Sequence, residues 1–160
     1  MTAEVTYRRA GAADIDLLVG YRLRFLAEHF GRGSGDYRDE AALAAELRAY
    51  FAEALPQGSF LAWIAEAGGE VVGTSGLVLW RIPPNDGVPN GRLGYILNMY
   101  TAPAARGRGI CTALLEKLIA DARAAGVSRV HLHASKMGEP IYRKRGFHEP
   151  GDVELILKVE

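Results

Sequence analysis

A chain of 160 residues with 49% apolar and 24% charged content suits a single soluble domain, since folding at this length withdraws roughly 70% of the chain's surface from water. Nineteen basic and nineteen acidic residues cancel, which argues against non-specific nucleic-acid binding. A single cysteine excludes a disulfide framework or a Cys-rich metal site. No apolar run reaches the ~18 residues of a membrane span and the N-terminus lacks a signal peptide's apolar core, so the expectation is one cytoplasmic domain over residues 1–160.

Val5-Thr6-Tyr7-Arg8-Arg9 alternates as a strand does. The Gly11–Asp14 segment offers a cap for a helix carrying Ile15, Leu17, Leu18, Tyr21, Leu23, Phe25, Leu26 and Phe30. Three glycines between Gly31 and Gly35 end it in a loop. A second helix runs from Asp39 to Leu55, with Leu43, Leu47, Tyr50 and Phe51 at spacings of three and four, and Pro56-Gln57-Gly58 stops it. The period then falls to two. Ser59–Ala67 and Glu70–Trp80 read as strands joined by Gly68-Gly69, a hairpin signal. The stretch Arg81–Gly91, with three prolines and two glycines, is a loop long enough to suggest a functional part. Arg92–Thr101 is strand, about Arg108–Ala125 is helix capped by Gly126, Val127–Ala134 is strand, Gly138–Arg145 is a short helix, and Val153–Val159 alternates as a last strand. Antiparallel strands passing into a βαβ unit give a mixed α/β sheet with helices on both faces.

The βαβ crossing carries the chemistry. Its strand breaks at Pro103, passes through Arg106-Gly107-Arg108-Gly109 and enters a helix at Ile110. The first amides of that helix lack intrahelical partners and carry the positive end of its dipole. Gly107 and Gly109 present no Cβ to an approaching ligand, and Arg106 and Arg108 add charges suited to phosphate. This is a cradle for an anion the size of a pyrophosphate. A Walker loop would need G-x-x-x-x-G-K-[ST], which is absent; a dinucleotide fingerprint would need a third glycine, and Thr112 follows instead.

Arg106-Gly107-Arg108-Gly109-Ile110-Cys111 resembles the coenzyme A motif Gln/Arg-x-x-Gly-x-Gly/Ala of the GCN5-related N-acetyltransferases, with Cys111 as the departure. Residues 135–147, SKMGEPIYRKRGF, resemble the family's second motif, Asn-x-x-Ala-x-x-Leu-Tyr-x-x-x-Gly-Phe, with Ser135 for Asn and Gly138 for Ala. The resemblance covers most of the chain and is tight from about residue 93 to 148. It implies a single GNAT-like domain with a mixed sheet of six to seven strands and about four helices on both faces. It also implies acetyl-CoA, or another acyl-CoA, as co-substrate, without a metal. In that reading the pyrophosphate rests on the amides of Gly107, Gly109, Ile110 and Cys111, with Arg106, Arg108, Thr112 and Ser135 beside the cofactor. The pantetheine lies along Met99 and Thr101, and the thioester carbonyl meets an amide near Met99 or Tyr100.

The activity implied is direct transfer of an acyl group to a primary amine, a small molecule or a terminal or side-chain amine, with a CoA-binding or sensing module as the alternative. Tyr142 matches the family's general acid, against a local reading as apolar packing beside Ile141 and Phe147. Where relatives carry an acidic residue on the strand before the loop, this chain has Asn98, which can position a water but not take a proton. Glu28, His29 and His133 are the titratable candidates for a base. The acceptor pocket is expected from the first two helices and the Arg81–Gly91 loop. No nucleic-acid or membrane partner is expected, and family members often pair as homodimers. His131-x-His133 could begin a metal site but has no further ligand nearby in sequence. Cys111 at a helix start could be an activated thiol or simply a small buried side chain. Arg143-Lys144-Arg145 could reach a 3′-phosphate or be solvated, and Arg22 and Arg24 could meet an acidic acceptor or only the surface.

Overall fold

The computed structural model describes residues 3–30 and 39–159; the expected Gly31–Gly35 loop lies outside them. Strands β1 (Val5–Arg9), β2 (Phe60–Ala67), β3 (Glu70–Arg81), β4 (Arg92–Thr101) and β5 (Arg129–Leu132) form one sheet in the order β1-β2-β3-β4-β5. All neighbours are antiparallel except β4 and β5, which are parallel across the crossover helix α3 (Ile110–Ala124). Helices α1 (Ile15–Phe30) and α2 (Glu40–Gln57) precede β2, and α4 (Glu139–Arg143) follows β5.

Period-two alternation divides the strands between two cores. Phe60, Ala62 and Ile64 of β2 pack with Leu18 and Val19 of α1 and Ala44, Phe51 and Ala54 of α2. Leu61 and Trp63 face the other way, toward Leu115, Leu118 and Ala122 of α3 and Tyr142 of α4. The sheet is therefore sandwiched between two helical layers, as the mixed-sheet expectation required. Arg9 of β1 makes a bidentate pair with Asp121 of α3 at 2.9 and 2.5 Å, and Trp63 Nε1 donates to the same carboxylate at 2.8 Å, locking α3 across the sheet.

Local chemistry explains the element ends. The Asp39 carboxylate accepts from the amides of Ala41 and Ala42 and caps α2. The helix runs past Pro56 to Gln57, so the proline stands inside its last turn and ends it within one residue. Gly58 then closes it with its N–H on Ala54 and Leu55 carbonyls. At the end of α3 the amides of Gly126 and Val127 return to the carbonyls of Arg123 and Ala122, a Schellman closure.

Two expectations are corrected. The sheet has five strands among the described residues, not six or seven. Val153–Val159 carries no ladder pairing and lies exposed, since alternation specifies a strand's faces but not a partner edge. The 82–91 loop is a tied turn at the far end of β4. Asn85 accepts from the amides of Gly87 and Val88, Val88 is buried, and the Asn90 amide reaches the Gly126 carbonyl.

Candidate active site

The ladder between β4 and β5 joins only Leu93–Ile96 to Arg129–Leu132. Beyond Ile96 the two parallel strands separate, and β4 has no ladder partner on that side. Across β4, Ser75 of β3 faces two residues, Asn98 and Met99, because the register jumps from Gly76↔Leu97 to Thr74↔Tyr100. This is a β-bulge, and Asn98 supplies its left-handed conformation with φ +56°, which asparagine tolerates better than most residues. A bulge at the point where two strands part re-aims the backbone that follows it.

A cavity of about 590 Å³ opens there. Met99, Tyr100 and Thr101 of β4 form one wall, and Arg106, Gly107, Gly109, Ile110, Cys111 and Thr112 form the floor. Phe25, Glu28 and His29 of α1 close one side, and Ser135, Gly138 and Tyr142 close the other. The volume falls in the range of small-molecule and cofactor sites. The structure thus brings together around one cavity nearly all the residues singled out from the two motifs. Asn98 is buried beside it, and Arg108 is turned elsewhere, donating from Nη2 to the Ala3 carbonyl at 2.6 Å. No residue of α2 or of the 82–91 loop lines the cavity. Of the three elements expected to build an acceptor pocket, only α1 lines this cavity.

The loop before α3 leaves open space beside an uncapped helix start. Gly109 stands at the N-cap of α3 with φ +75°, and Gly107 has φ +78°. A Cβ built on either would meet no protein atom within 4 Å, so these glycines serve the backbone conformation and leave open space, rather than making room for a packed neighbour. Helix α3 has no side-chain cap and no acidic residue in its first turn, whereas α2 is capped by Asp39. Its leading amides are left for a ligand.

Arg106 is committed to the protein. Its Nε donates to the Thr101 carbonyl at 3.0 Å, its Nη2 to Glu28 at 2.5 Å, and its guanidinium lies 6.0 Å from the Tyr100 ring centroid. It clamps α1 to the loop, and the same bond engages Glu28 Oε1. The Asn98 Oδ1 is buried without a hydrogen-bond partner, which normally costs ~1–3 kcal/mol and marks a place where a missing donor belongs. Tyr142 is 7% exposed, and burial pushes its phenol well above the ordinary tyrosine range, with Cys111 adding to the effect. The hydroxyl therefore stays protonated at neutral pH. Gly138 leaves room for it, since a Cβ there would stand 3.0 Å from the Tyr142 ring and 3.3 Å from Ser135 Oγ. Ser135 Oγ accepts from the Gly138 amide at 3.1 Å.

Burial raises the Cys111 thiol as well, the opposite of what an activated nucleophile requires. Arg143 is paired with Glu139 and Glu149, and Arg145 with Glu116, so two of the three cations in that basic run are engaged within the protein. Arg22 and Arg24 lie over the Phe25 and Tyr21 rings. His133 lies against Tyr95, whose hydroxyl meets its Nδ1. Among the described residues no cluster of three or more metal-ligating side chains occurs.

Residues 23–147 match the model of the Acetyltransferase (GNAT) family. The chain belongs to the GNAT family. A predicted acetyltransferase from Clostridium acetobutylicum, solved with acetyl-CoA, superposes with a TM-score of 0.86 at 34% identity over 96% of each chain. A GCN5-related N-acetyltransferase from Ralstonia eutropha JMP134 gives 0.80 at 30% identity, covering 96% of this chain and 99% of that one. GCN5-related N-acetyltransferase 6, chloroplastic, from Arabidopsis thaliana is 36% identical over 70 residues, 41% of this chain and 24% of that protein. This GNAT chain thus aligns with about a quarter of the length of that curated relative.

The bulge at Asn98 and the orphaned Oδ1 escaped sequence reasoning. Asparagine within an otherwise apolar strand was the available signal, because β-propensity disfavours it there.

Proposed function

We propose that this GNAT domain transfers an acetyl or other acyl group from its CoA thioester to a primary amine by direct attack within a ternary complex. The observation that carries the reading is the uncapped start of α3, whose Gly107–Gly109 entry opens into the same cavity as the protonated Tyr142. The neighbour solved with acetyl-CoA supports the choice of cofactor. Bound there, acyl-CoA supplies an activated acyl carbon and a thiolate leaving group.

The chain's own groups do the remainder. The amides of Gly107, Gly109, Ile110 and Cys111 hold the pyrophosphate, with Thr112 and Ser135 alongside. The unpaired edge of β4 from Met99 to Thr101 accepts the pantetheine as a further strand would be accepted. An amide near Met99 or Tyr100 stabilises the developing oxyanion, worth ~3 kcal/mol by comparison with measured oxyanion holes. Tyr142 holds the proton that the departing sulfur needs. A lysine-like amine must first lose a proton, at a cost of about 4–5 kcal/mol at neutral pH. Asn98 positions a water in that step, and Glu28 is the base candidate on the cavity wall. The acceptor is a small or terminal amine approaching past α1.

A second reading, a CoA-binding or sensing module without turnover, draws on Asn98 standing where a carboxylate would serve as base and on Glu28 being held by Arg106. A thermal-shift titration against acetyl-CoA, CoA, NAD and ATP tests the cavity assignment. Ligand at 100 times its dissociation constant adds ~2.7 kcal/mol and raises the midpoint by roughly 5–10 °C. Shifts with acetyl-CoA and CoA alone, followed by thiol release with any amine of a panel, support transfer. Shifts without release favour the sensing module, and no shift with either CoA species rejects both.

A further inference from the structure

An attacking amine must first lose a proton, and Glu28, the base candidate on the cavity wall, is engaged by Arg106. A second set of titratable groups stands where β4 and β5 part. The parallel ladder pairs Tyr95 with His131 and ends at Ile96 with Leu132, so His133 is the first residue of its strand's path beyond the fork. Ile96, Val130 and Leu132 belong to the core under α3, and alternation therefore turns Tyr95, His131 and His133 to the α1 face. That is the face past which the acceptor approaches in the reading above. Neither Tyr95 nor His133 lines the cavity, but Ser135, two residues beyond His133, and Met99, across the fork, both do.

Across the fork the Tyr95 hydroxyl meets His133 Nδ1, and His133 Nε2 lies 3.9 Å from a Glu154 carboxylate oxygen of the same chain, an ion-pair distance rather than a hydrogen bond. Burial raises the Tyr95 phenol, while Arg22 of α1 lowers it and Glu154 raises it further. The hydroxyl therefore keeps its proton at neutral pH and is the donor of the pair. Nδ1 is then the acceptor, and the ring's own proton sits on Nε2, toward Glu154. The charged and titratable groups around the pair are Arg22 from α1, His131 from β5 and Glu154 from the segment after α4. The side chains of His133 and Glu154 are 68% and 69% exposed, which leaves the far end of this array in water.

We propose that Tyr95 and His133 carry the proton away from the attacking amine, with Tyr95 touching the nitrogen and His133 acting as the base behind it. The proposal rests on the transfer reading given above. The ammonium nitrogen gives a proton to the Tyr95 oxygen as that hydroxyl passes its own to His133 Nδ1. The imidazolium, steadied by Glu154, releases a proton from Nε2 to water and regains its starting tautomer. The neutral amine then attacks the thioester carbon. Its second proton, lost as the adduct collapses, replaces the one that Tyr142 gives the departing sulfur, so each transfer releases one proton to solvent. His133 and Glu154 act through Tyr95 and are positioning residues in this scheme.

Thiol release from acetyl-CoA, followed against pH with the most active primary amine of the panel, tests this. An amine with a pKa near 10.4 is almost wholly charged below about pH 9, and a base that takes its proton gives a kcat/KM that is level from about pH 7.5 to 9. His133→Gln keeps an acceptor for the Tyr95 hydroxyl but takes no proton. Its kcat/KM should fall at least about 10²-fold at pH 7.5 and climb about tenfold per pH unit, as the amine's own neutral fraction does. Tyr95→Phe severs the same path from its other end and should give the same slope, which covers the case of a misfolded His133 variant. Both should keep the parent's thermal shift with CoA. A parent chain that already climbs with that slope, or variants whose profile stays level whether lowered or not, overturn the proposal. A slope that appears in Glu28→Gln and not in these two returns the role to Glu28. A parent chain that shifts with CoA yet acylates no amine rejects the transfer reading and the relay with it.

Discussion

At the scale of single residues, Tyr142 and Gly109 carry the sharpest expectations. Tyr142→Phe removes only the phenolic hydroxyl, and loss of a general acid typically costs about 10²–10⁴-fold in rate. Turnover should fall by about that factor, while the thermal shift produced by CoA is unchanged; an unaltered rate would show that another group protonates the sulfur. Gly109→Ala introduces the smallest Cβ at φ +75° into open space at the start of α3. The strain costs ~1–2 kcal/mol in stability, but CoA binding should weaken more, because the methyl enters the space where the proposed function puts the pyrophosphate. Isothermal titration of the variant measures this, and wild-type affinity would move the cradle elsewhere. Arg106 acts differently from a simple phosphate ligand, since its guanidinium is spent on Glu28 and the Thr101 carbonyl.

The elements show why the site is positioned so firmly. β2 and β3 pass between two cores, and their contact depends on Gly76, where an added Cβ would stand 2.6 Å from Phe60 Cζ. Phe60 is fully buried against Phe51, with ring centroids 5.1 Å apart. Phe51→Ala should cost ~3–5 kcal/mol as cavity and transfer loss. For a chain of this length that lowers the melting midpoint by roughly 6–20 °C. The loss lies on the α1–α2 side of the sheet, so the CoA-induced shift should survive it. A scanning calorimetry pair with and without CoA checks both statements. Legibility differed from element to element. The Pro56–Gly58 stop of α2, the Gly68-Gly69 hairpin and the Gly126 end of α3 were readable because each rests on residues adjacent in sequence. The bulge at Asn98 was not, because it is defined by the register of β4 against Ser75 in another strand.

For the molecule as a whole, titration follows burial. The phenols of Tyr7, Tyr21, Tyr50, Tyr95 and Tyr142 and the Cys111 thiol are all raised, chiefly by burial. Groups raised in the folded state stabilise it fully below their unfolded pKa values and lose that contribution as pH rises. The melting midpoint should therefore hold to about pH 8.5 and fall increasingly above about 10, less steeply in Tyr142→Phe. A midpoint flat to pH 11 in the parent chain would contradict the burial of these groups. On the acid side, Arg8 lowers Asp14, and Arg143 holds Glu149 at about 2. Their contribution is present above the ordinary carboxylate values and is lost as pH falls from about 4.5 toward 2. The Arg143–Glu149 pair faces water and Arg8 is half-exposed, so this loss should be small and should shrink further in high salt.

What the sequence by itself determined is local and covalently ordered. Helix and strand periods, the Gly107–Gly109 loop before an apolar helix, and the spacing from Ser135 to Tyr142 and Phe147 were enough to mark a GNAT domain and most of the residues lining its cavity. Tertiary structure alone decided which groups those residues meet. Arg106 and Arg108 are identical in type and two apart, yet one clamps α1 and the other reaches Ala3. The 82–91 loop, rich in turn residues, sits a whole strand away from the cavity, because β4 carries the chain from one end of the sheet to the other. Val153–Val159 has a strand's alternation but no ladder here, since a strand needs a partner edge in register and periodicity specifies only its faces.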